Sequence, residues 1–200
     1  RSSSATAHGD AIWAASVAAA VHVGNFLAGG MVPMYRDRQE FLQKVRIMEL
    51  GAGIGIPSLF LAQKLHKLQV AAGLHHTSDE DLAKGPGGRK QIYLTDARSY
   101  HNIRQLLLSV LQHPQLHLFR VAPHNWGEVD VTDGMSFLGS ECHDLAFDVV
   151  VAADCIYNPS FHEPLLDTIC HTMSSEGRAV VTFSLHPNTD EANVWSFLTK

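Results

Sequence analysis

An α/β fold built on a doubly wound, mostly parallel sheet is what the sequence predicts, and three features carry that expectation. Strand-like apolar stretches alternate with helix-periodic stretches five times, joined by short links. Phe147 to Ala153 reads Phe-Asp-Val-Val-Val-Ala-Ala, the near-continuous apolar run of a strand buried on both faces. The stretch Ile47-Met48-Glu49-Leu50-Gly51-Ala52-Gly53-Ile54-Gly55-Ile56-Pro57 reads as a strand that enters a glycine turn and leaves as a helix.

The elements follow in order. Arg1 to Gly9 is small and polar, a lead-in rather than a folded element, and Asp10 offers an N-cap. Ala11 to Leu27 is rich in alanine, which is only weakly hydrophobic, and His22, Gly24 and Asn25 interrupt it. A packed helix is therefore expected there, rather than a signal peptide or a membrane span. Gly29, Gly30 and Pro33 break that helix, and Tyr35 to Lys44 forms a charged connector or short helix before the first strand, Val45 to Leu50. Ile56 to Leu68 places Leu61, Leu65 and Leu68 on one helical face. Gly73 to Lys90, with its acidic run and Gly85-Pro86-Gly87-Gly88, reads as an exposed insertion.

Gln91 to Thr95 is a short strand ending at Asp96, and Ala97 to Gln112 a helix with Ile103, Leu106, Leu107, Val110 and Leu111 on one face. Leu116 to Ala122 is a third strand. Asp130 to Asp144 reads as loop or irregular helix before the buried fourth strand, Phe147 to Ala153. Pro164 starts a helix through Met173, Ala179 to Ser184 is a fifth strand, and Glu191 to Leu198 a last helix.

Composition narrows the function. A chain of 200 residues, 46% hydrophobic, can bury one full core, so one domain is expected: residues 1–10 as the lead-in and 11–200 as the folded unit. A net charge of -5 supplies no basic field for a phosphate backbone, so no nucleic-acid partner is expected, and no membrane partner either. Cys142, Cys155 and Cys170 form no C-x-x-C pair, and an odd count suits a reducing compartment, the cytoplasm with the nucleus as a second location. Thirteen histidines raise the question of a metal, above all at Cys142-His143 and Cys170-His171. Neither H-x-x-x-H nor paired C-x-x-C spacing is present, and no metal is expected.

The residues that point to chemistry sit at strand ends. Gly51, Gly53 and Gly55 let the backbone take positive φ and let a ligand approach main-chain N–H groups, the mark of a cofactor loop, although a tight turn without a ligand has the same glycines. Their two-and-two spacing fits the dinucleotide fingerprint poorly. Asp96 ends the second strand, where a carboxylate can accept from both ribose hydroxyls of a nucleoside; an N-cap for the following helix is an equal reading. Trp126, in the turn Pro123-His124-Asn125-Trp126-Gly127, can lie against a flat base or cover the sheet edge. Trp13, read alone, is more simply a core aromatic. Asp154 and Tyr157 follow the fourth strand, on the side where the cleft of such sheets opens.

Five pieces in order, Ile12-Trp13-Ala14-Ala15, Glu49-Leu50-Gly51-Ala52-Gly53-Ile54-Gly55, Thr95-Asp96 with Asn102-Ile103, Asn125-Trp126-Gly127 and Ala153-Asp154-Cys155-Ile156-Tyr157, resemble the seven-β-strand lysine methyltransferase-like family, once described as nicotinamide N-methyltransferase-like. The match runs from Trp13 to about Ser184, and Asp-x-x-Tyr after strand four is its most specific part. The resemblance implies a Rossmann-like class I methyltransferase fold and S-adenosyl-L-methionine as cofactor. It implies that Trp13, Glu49, Gly51, Ala52, Gly53, Asp96, Trp126 and Ala153 serve the cofactor, and that the catalytic residues Asp154 and Tyr157 line the opening to an acceptor amine. A protein presenting a lysine is the expected substrate, and a monomer the expected state. A small-molecule amine, or cofactor binding without turnover, are the alternatives.

Three departures stand out. Asn125 stands where the family's Pro-Leu-Asp-Trp has its carboxylate, the 73–90 insertion is longer than usual, and five strands are found where the family has seven. The expectation is a domain cut short at its C-terminal side.

Overall fold

The computed structural model describes residues 14–30, 32–74, 90–128, 146–185 and 190–200. Trp13, Cys142, His143 and nearly all of the expected 73–90 insertion and 130–144 segment lie outside the described residues.

The packed helix expected over Ala11 to Leu27 is described as α1 (Ala14–Gly29), the first described helix, and His22, Gly24 and Asn25 lie within it. Gly24 is the reason α1 can lie close to the helix after the glycine turn: a Cβ there would stand 3.1 Å from the Phe60 ring. The exposed carbonyls at the end of α1 are taken up by the Arg38 guanidinium, which donates to Leu27 O and Gly30 O. The connector resolves into helix α2 (Arg38–Lys44), N-capped by Asp37, whose carboxylate accepts from Glu40 N–H at 2.8 Å.

Strand β1 (Ile47–Leu50) is buried at every position, and α3 (Ile56–Ala71) follows the glycine turn. Then come β2 (Ile92–Asp96), α4 (Tyr100–Leu111), β3 (Phe119–Pro123), β4 (Phe147–Ala153), α5 (His162–Thr172), β5 (Met173–Thr182) and α6 (Glu191–Leu198). The strands form one all-parallel sheet in the order β3-β2-β1-β4-β5. The winding goes outward from β1 to β3 and then returns to β4 on the other side of β1. That reversal opens a crevice outside the carboxyl ends of β1 and β4.

Two cores follow from the alternation of side chains along the strands. On one face Ile47, Ile92, Leu94, Val149 and Val151 pack with α1, α3 and α4 through Val23, Leu27, Leu61, Leu65, Leu106 and Val110. On the other, Met48, Leu50, Tyr93, Val150 and Ala152 meet α5 through Leu165 and Ile169, with Val194 and Phe197 of α6 resting on them. Fully burying one such aliphatic side chain stabilises by about 1.5–3 kcal/mol. Asp148 breaks the apolar run of β4; its Oδ2 accepts from Tyr35 Oη and from Arg46 N–H, both at 2.7 Å.

Three of the boundaries that differ from the sequence expectation bear on the sheet and the site. Helix α4 begins at Tyr100 with Ser99 at its N-cap position, so Asp96 does not cap it. Leu116–Leu118 is a turn of 3₁₀ helix before β3 rather than part of the strand. Strand β5 begins at Met173, straight off α5, where the register jumps from Phe147↔Met173 to Val149↔Arg178. Ser174 to Gly177 is the bulged part of that strand. Any Cβ on Gly177 would lie 2.8 Å from Phe147 O.

Candidate active site

The crevice is lined by the turn after β1. All three of its glycines are left-handed, with φ of +63° at Gly51, +56° at Gly53 and +79° at Gly55. A side chain would be strained at each. At Gly51 it would also collide, since a Cβ would stand 2.9 Å from the Trp126 ring and 3.0 Å from Cys155 Sγ. The turn is pinned to the sheet by Ala52 N–H donating to Thr95 O at 2.9 Å.

Two carboxylates, one from each adjoining strand, hold this turn from different sides. Glu49 is 1% exposed and faces α3: its Oε2 accepts from Ser58 N–H at 3.1 Å and from Ser58 Oγ. Gly55, the N-cap residue of α3, has no side chain to cap with, so Glu49 satisfies an N–H of the first helical turn from below. Burial pushes the Glu49 carboxyl up to about 7, against the opposing pull of the Ser58 bonds. Asp96 reaches over the turn. Its Oδ2 accepts from Gly53 N–H at 2.7 Å, and its Oδ1 from Ala97 N–H at 2.8 Å and Asn102 Nδ2 at 2.6 Å.

The exit of β3 closes the next side. His124 N–H donates to Asp96 O at 2.8 Å. Asn125 Oδ1 accepts from Arg98 N–H at 3.0 Å while its Nδ2 donates to Glu128 Oε1 at 2.7 Å. An amide can do both; a carboxylate could accept from Arg98 but would face Glu128 with like charge. The departure at Asn125 is thus matched to Glu128, which also pairs with Arg98 Nη2 at 3.2 Å. Trp126 is half-buried, edge-on to Phe161 with ring centroids 6.1 Å apart.

The end of β4 supplies the last group. Ala153 is half-buried and Asp154 turns left-handed at φ +60°, the one described non-glycine residue with positive φ. Asp154 N–H donates to Thr182 O at 2.7 Å, and its Oδ1 accepts from Ser184 N–H at 3.1 Å. Cys155 Sγ donates to Leu50 O at 3.3 Å, beneath Gly51. Burial first, then Cys155, Asp96 and Asp154, push the half-buried Tyr157 phenol above its ordinary value. Tyr157 O accepts from Asn193 Nδ2 of α6 at 2.8 Å.

Gly51, Ala52, Gly53, Asp96, Trp126, Ala153, Asp154 and Tyr157 are therefore gathered at the carboxyl ends of β1 to β4, whereas Glu49 lies behind the turn. Ser58, Arg98 and Ser184 were not foreseen, because each acts through a backbone or side-chain bond to a residue distant in sequence. Among the described residues no group of three or more His, Cys, Asp or Glu is placed to hold a metal, and no helix is long and apolar enough to cross a membrane.

Strand order and crevice together define a Rossmann-like methyltransferase fold, and the CcbJ methyltransferase from Streptomyces caelestis shares it with a TM-score of 0.50. That superposition is at 15% identity and covers 86% of this chain and 53% of the other, so it speaks for the fold alone. The chain belongs to the lysine methyltransferase family, whose model matches residues 2–198. A curated relative, the protein N-terminal and lysine N-methyltransferase EFM7 from Candida glabrata, is 25% identical over 195 residues. The chain spans about 61% of the length of that relative, and the match covers 96% of this chain.

Proposed function

We propose that the chain binds S-adenosyl-L-methionine in the crevice and directs its methyl group to an amine of a protein, a lysine side chain first of all. The observation that carries the reading is the meeting, at one sheet edge, of a left-handed glycine turn, the Asp96 carboxylate and the Asp154 to Tyr157 segment. The groups present fit such a cofactor: the turn offers close approach to backbone where a Cβ would intrude, and Asp96 offers an anionic acceptor for ribose. When bound, the cofactor supplies a sulfonium methyl that a neutral amine displaces in line.

The protein's part is positioning. Gly51 to Gly53 and Asp96 hold the nucleoside and methionine portions, and Trp126 borders the cleft. Glu49 acts from behind, keeping α3 against the turn. A lysine, with a reference pKa of about 10.4, must first lose its proton, which desolvation beside Tyr157 favours. Tyr157 keeps its own proton, so it offers a hydroxyl rather than a phenolate to the incoming amine. Asp154 adds negative charge that draws an ammonium toward the opening.

A second acceptor deserves naming because the relative's own name includes protein N-termini. An α-amine has a reference pKa of about 7.7–8.0 and is partly neutral at physiological pH. Incubating the protein with a cell extract and a labelled methyl donor tests the reading. Label in protein bands supports it, and alkali-stable label on lysine rather than on the first residue settles the acceptor. Label confined to small molecules, or no transfer at all, would contradict it.

A further inference from the structure

Strand β4 ends at Ala153, and the residues that follow at the acceptor opening, Cys155 to Asn158, lie in neither helix nor strand. Main-chain carbonyls in such a stretch must find donors elsewhere. Two successive ones find them on the C-terminal helices. Ile156 O lies 2.9 Å from Nε2 of His162, the fully buried first residue of α5, and Tyr157 O accepts from Asn193 Nδ2 of α6 at 2.8 Å. We propose that Asn193 is a positioning residue for methyl transfer, fixing from α6 the backbone that carries the Tyr157 ring while taking no part in the seat of the cofactor. The inference rests on the proposed function and deepens it, because it gives a helix outside the crevice a role on the acceptor side of the site.

Asn193 and Phe197 lie one helical turn apart and so share a face of α6. Asp190 caps that helix, its Oδ1 accepting from Asn193 N–H at 2.9 Å, which fixes the backbone from which the amide reaches. Phe197 meets the His162 ring edge-on with centroids 5.4 Å apart, so the same face of α6 also braces the group that holds Ile156 O. A carbonyl only accepts, so His162 Nε2 carries the proton in that bond. Ile156 is buried in the core, whereas Tyr157 is half-buried at the opening. Loss of the Asn193 bond therefore loosens the ring that borders the amine rather than the core behind it. The bonds on Asp96 run to Gly53 of the turn, to Ala97 and to Asn102 of α4, and none of them involves α6. Cofactor affinity and methyl transfer should therefore separate.

The test compares Asn193→Asp with Asn193→His in the whole chain. Asn193→Asp keeps the shape and loses the donor, and because a negative charge suits the first turn of α6, its melting temperature should fall little. Asn193→His keeps an N–H at the place of the amide nitrogen. Calorimetric titration with S-adenosylhomocysteine should give affinities within about twofold of wild type for both variants. Transfer from a labelled methyl donor into cell-extract protein, with enough extract that the wild-type rate no longer rises, should fall about tenfold or more in Asn193→Asp. Asn193→His should recover most of that loss. Unchanged transfer in Asn193→Asp, equal losses of affinity and transfer, no recovery in Asn193→His, or transfer that follows melting temperature across the variants would overturn the inference. If the wild-type protein binds S-adenosylhomocysteine but labels no protein, the proposed function itself fails, and the role of Asn193 falls with it.

Discussion

At the scale of single residues, φ separates strain that serves the site from strain that serves the fold. Gly53 stands at φ +56° with its N–H on Asp96, so Gly53→Val forces a branched side chain into a left-handed position at the crest of the turn. Binding of S-adenosylhomocysteine should be lost, by titration, while circular dichroism shows the helices retained. Unimpaired binding would remove the turn from the site. Asp154 is different, because it is left-handed without being glycine, a conformation that costs roughly 1–2 kcal/mol. Its carboxylate also takes the Ser184 N–H. Asp154→Ala therefore keeps the strain and loses the bond, and a loss of about 1–3 kcal/mol in a denaturant melt is expected. Asp154→Gly relieves the strain while removing the same carboxylate. If methyl transfer falls about 10²-fold in Asp154→Gly while its stability stays near wild type, the carboxylate acts on the acceptor. If transfer follows stability in both variants, Asp154 serves only the loop after β5.

Elements show where sequence and structure part. The buried strand β4 and the start of α3 at Ile56 were legible, because a near-continuous apolar run and a Gly-to-Pro transition have few other solutions. The start of α4 was not: Asp96 is a good cap residue by type, but its oxygens are drawn to Gly53 and Asn102, and the helix waits until Tyr100. No local rule reports a bond made across 43 residues. Glu49 and Ser58 are a second such pair, and they tie β1 to α3 with a measurable consequence. The Glu49 carboxyl, pushed up to about 7 in the fold, would ionise near about 4.3 in the unfolded chain. Below the unfolded value both states hold the proton, and this contribution to stability is fully present. It is lost as pH rises from about 4.3 through about 7, because only the folded state still binds the proton there. Over that window the loss is on the order of 4 kcal/mol, so Glu49→Gln should flatten the decline in stability between about pH 5 and about pH 7.5. An unchanged slope would mean that Glu49 is ionised in the fold.

For the whole molecule, the fold class was written in the alternation of strand and helix, and the strand order β3-β2-β1-β4-β5 is what makes that alternation into a site. Asp96 and Asp154 stand 58 positions apart in sequence (154 − 96), yet both bear on Tyr157 because β2 and β4 flank β1. The resemblance named nearly every residue now found at the crevice, but not the internal bonds that already occupy Asp96 and Asp154. Those bonds depend on packing between elements, which a linear pattern does not carry. The central claim is that this crevice seats S-adenosyl-L-methionine with Asp96 as an anchor. Titration of S-adenosylhomocysteine into the wild-type protein and into Asp96→Ala tests it most directly, with NAD as a competitor. Saturable binding that NAD does not displace, weakened at least tenfold in a folded Asp96→Ala, is the predicted result. No binding by the wild-type protein, or equal affinity in the two, would contradict it.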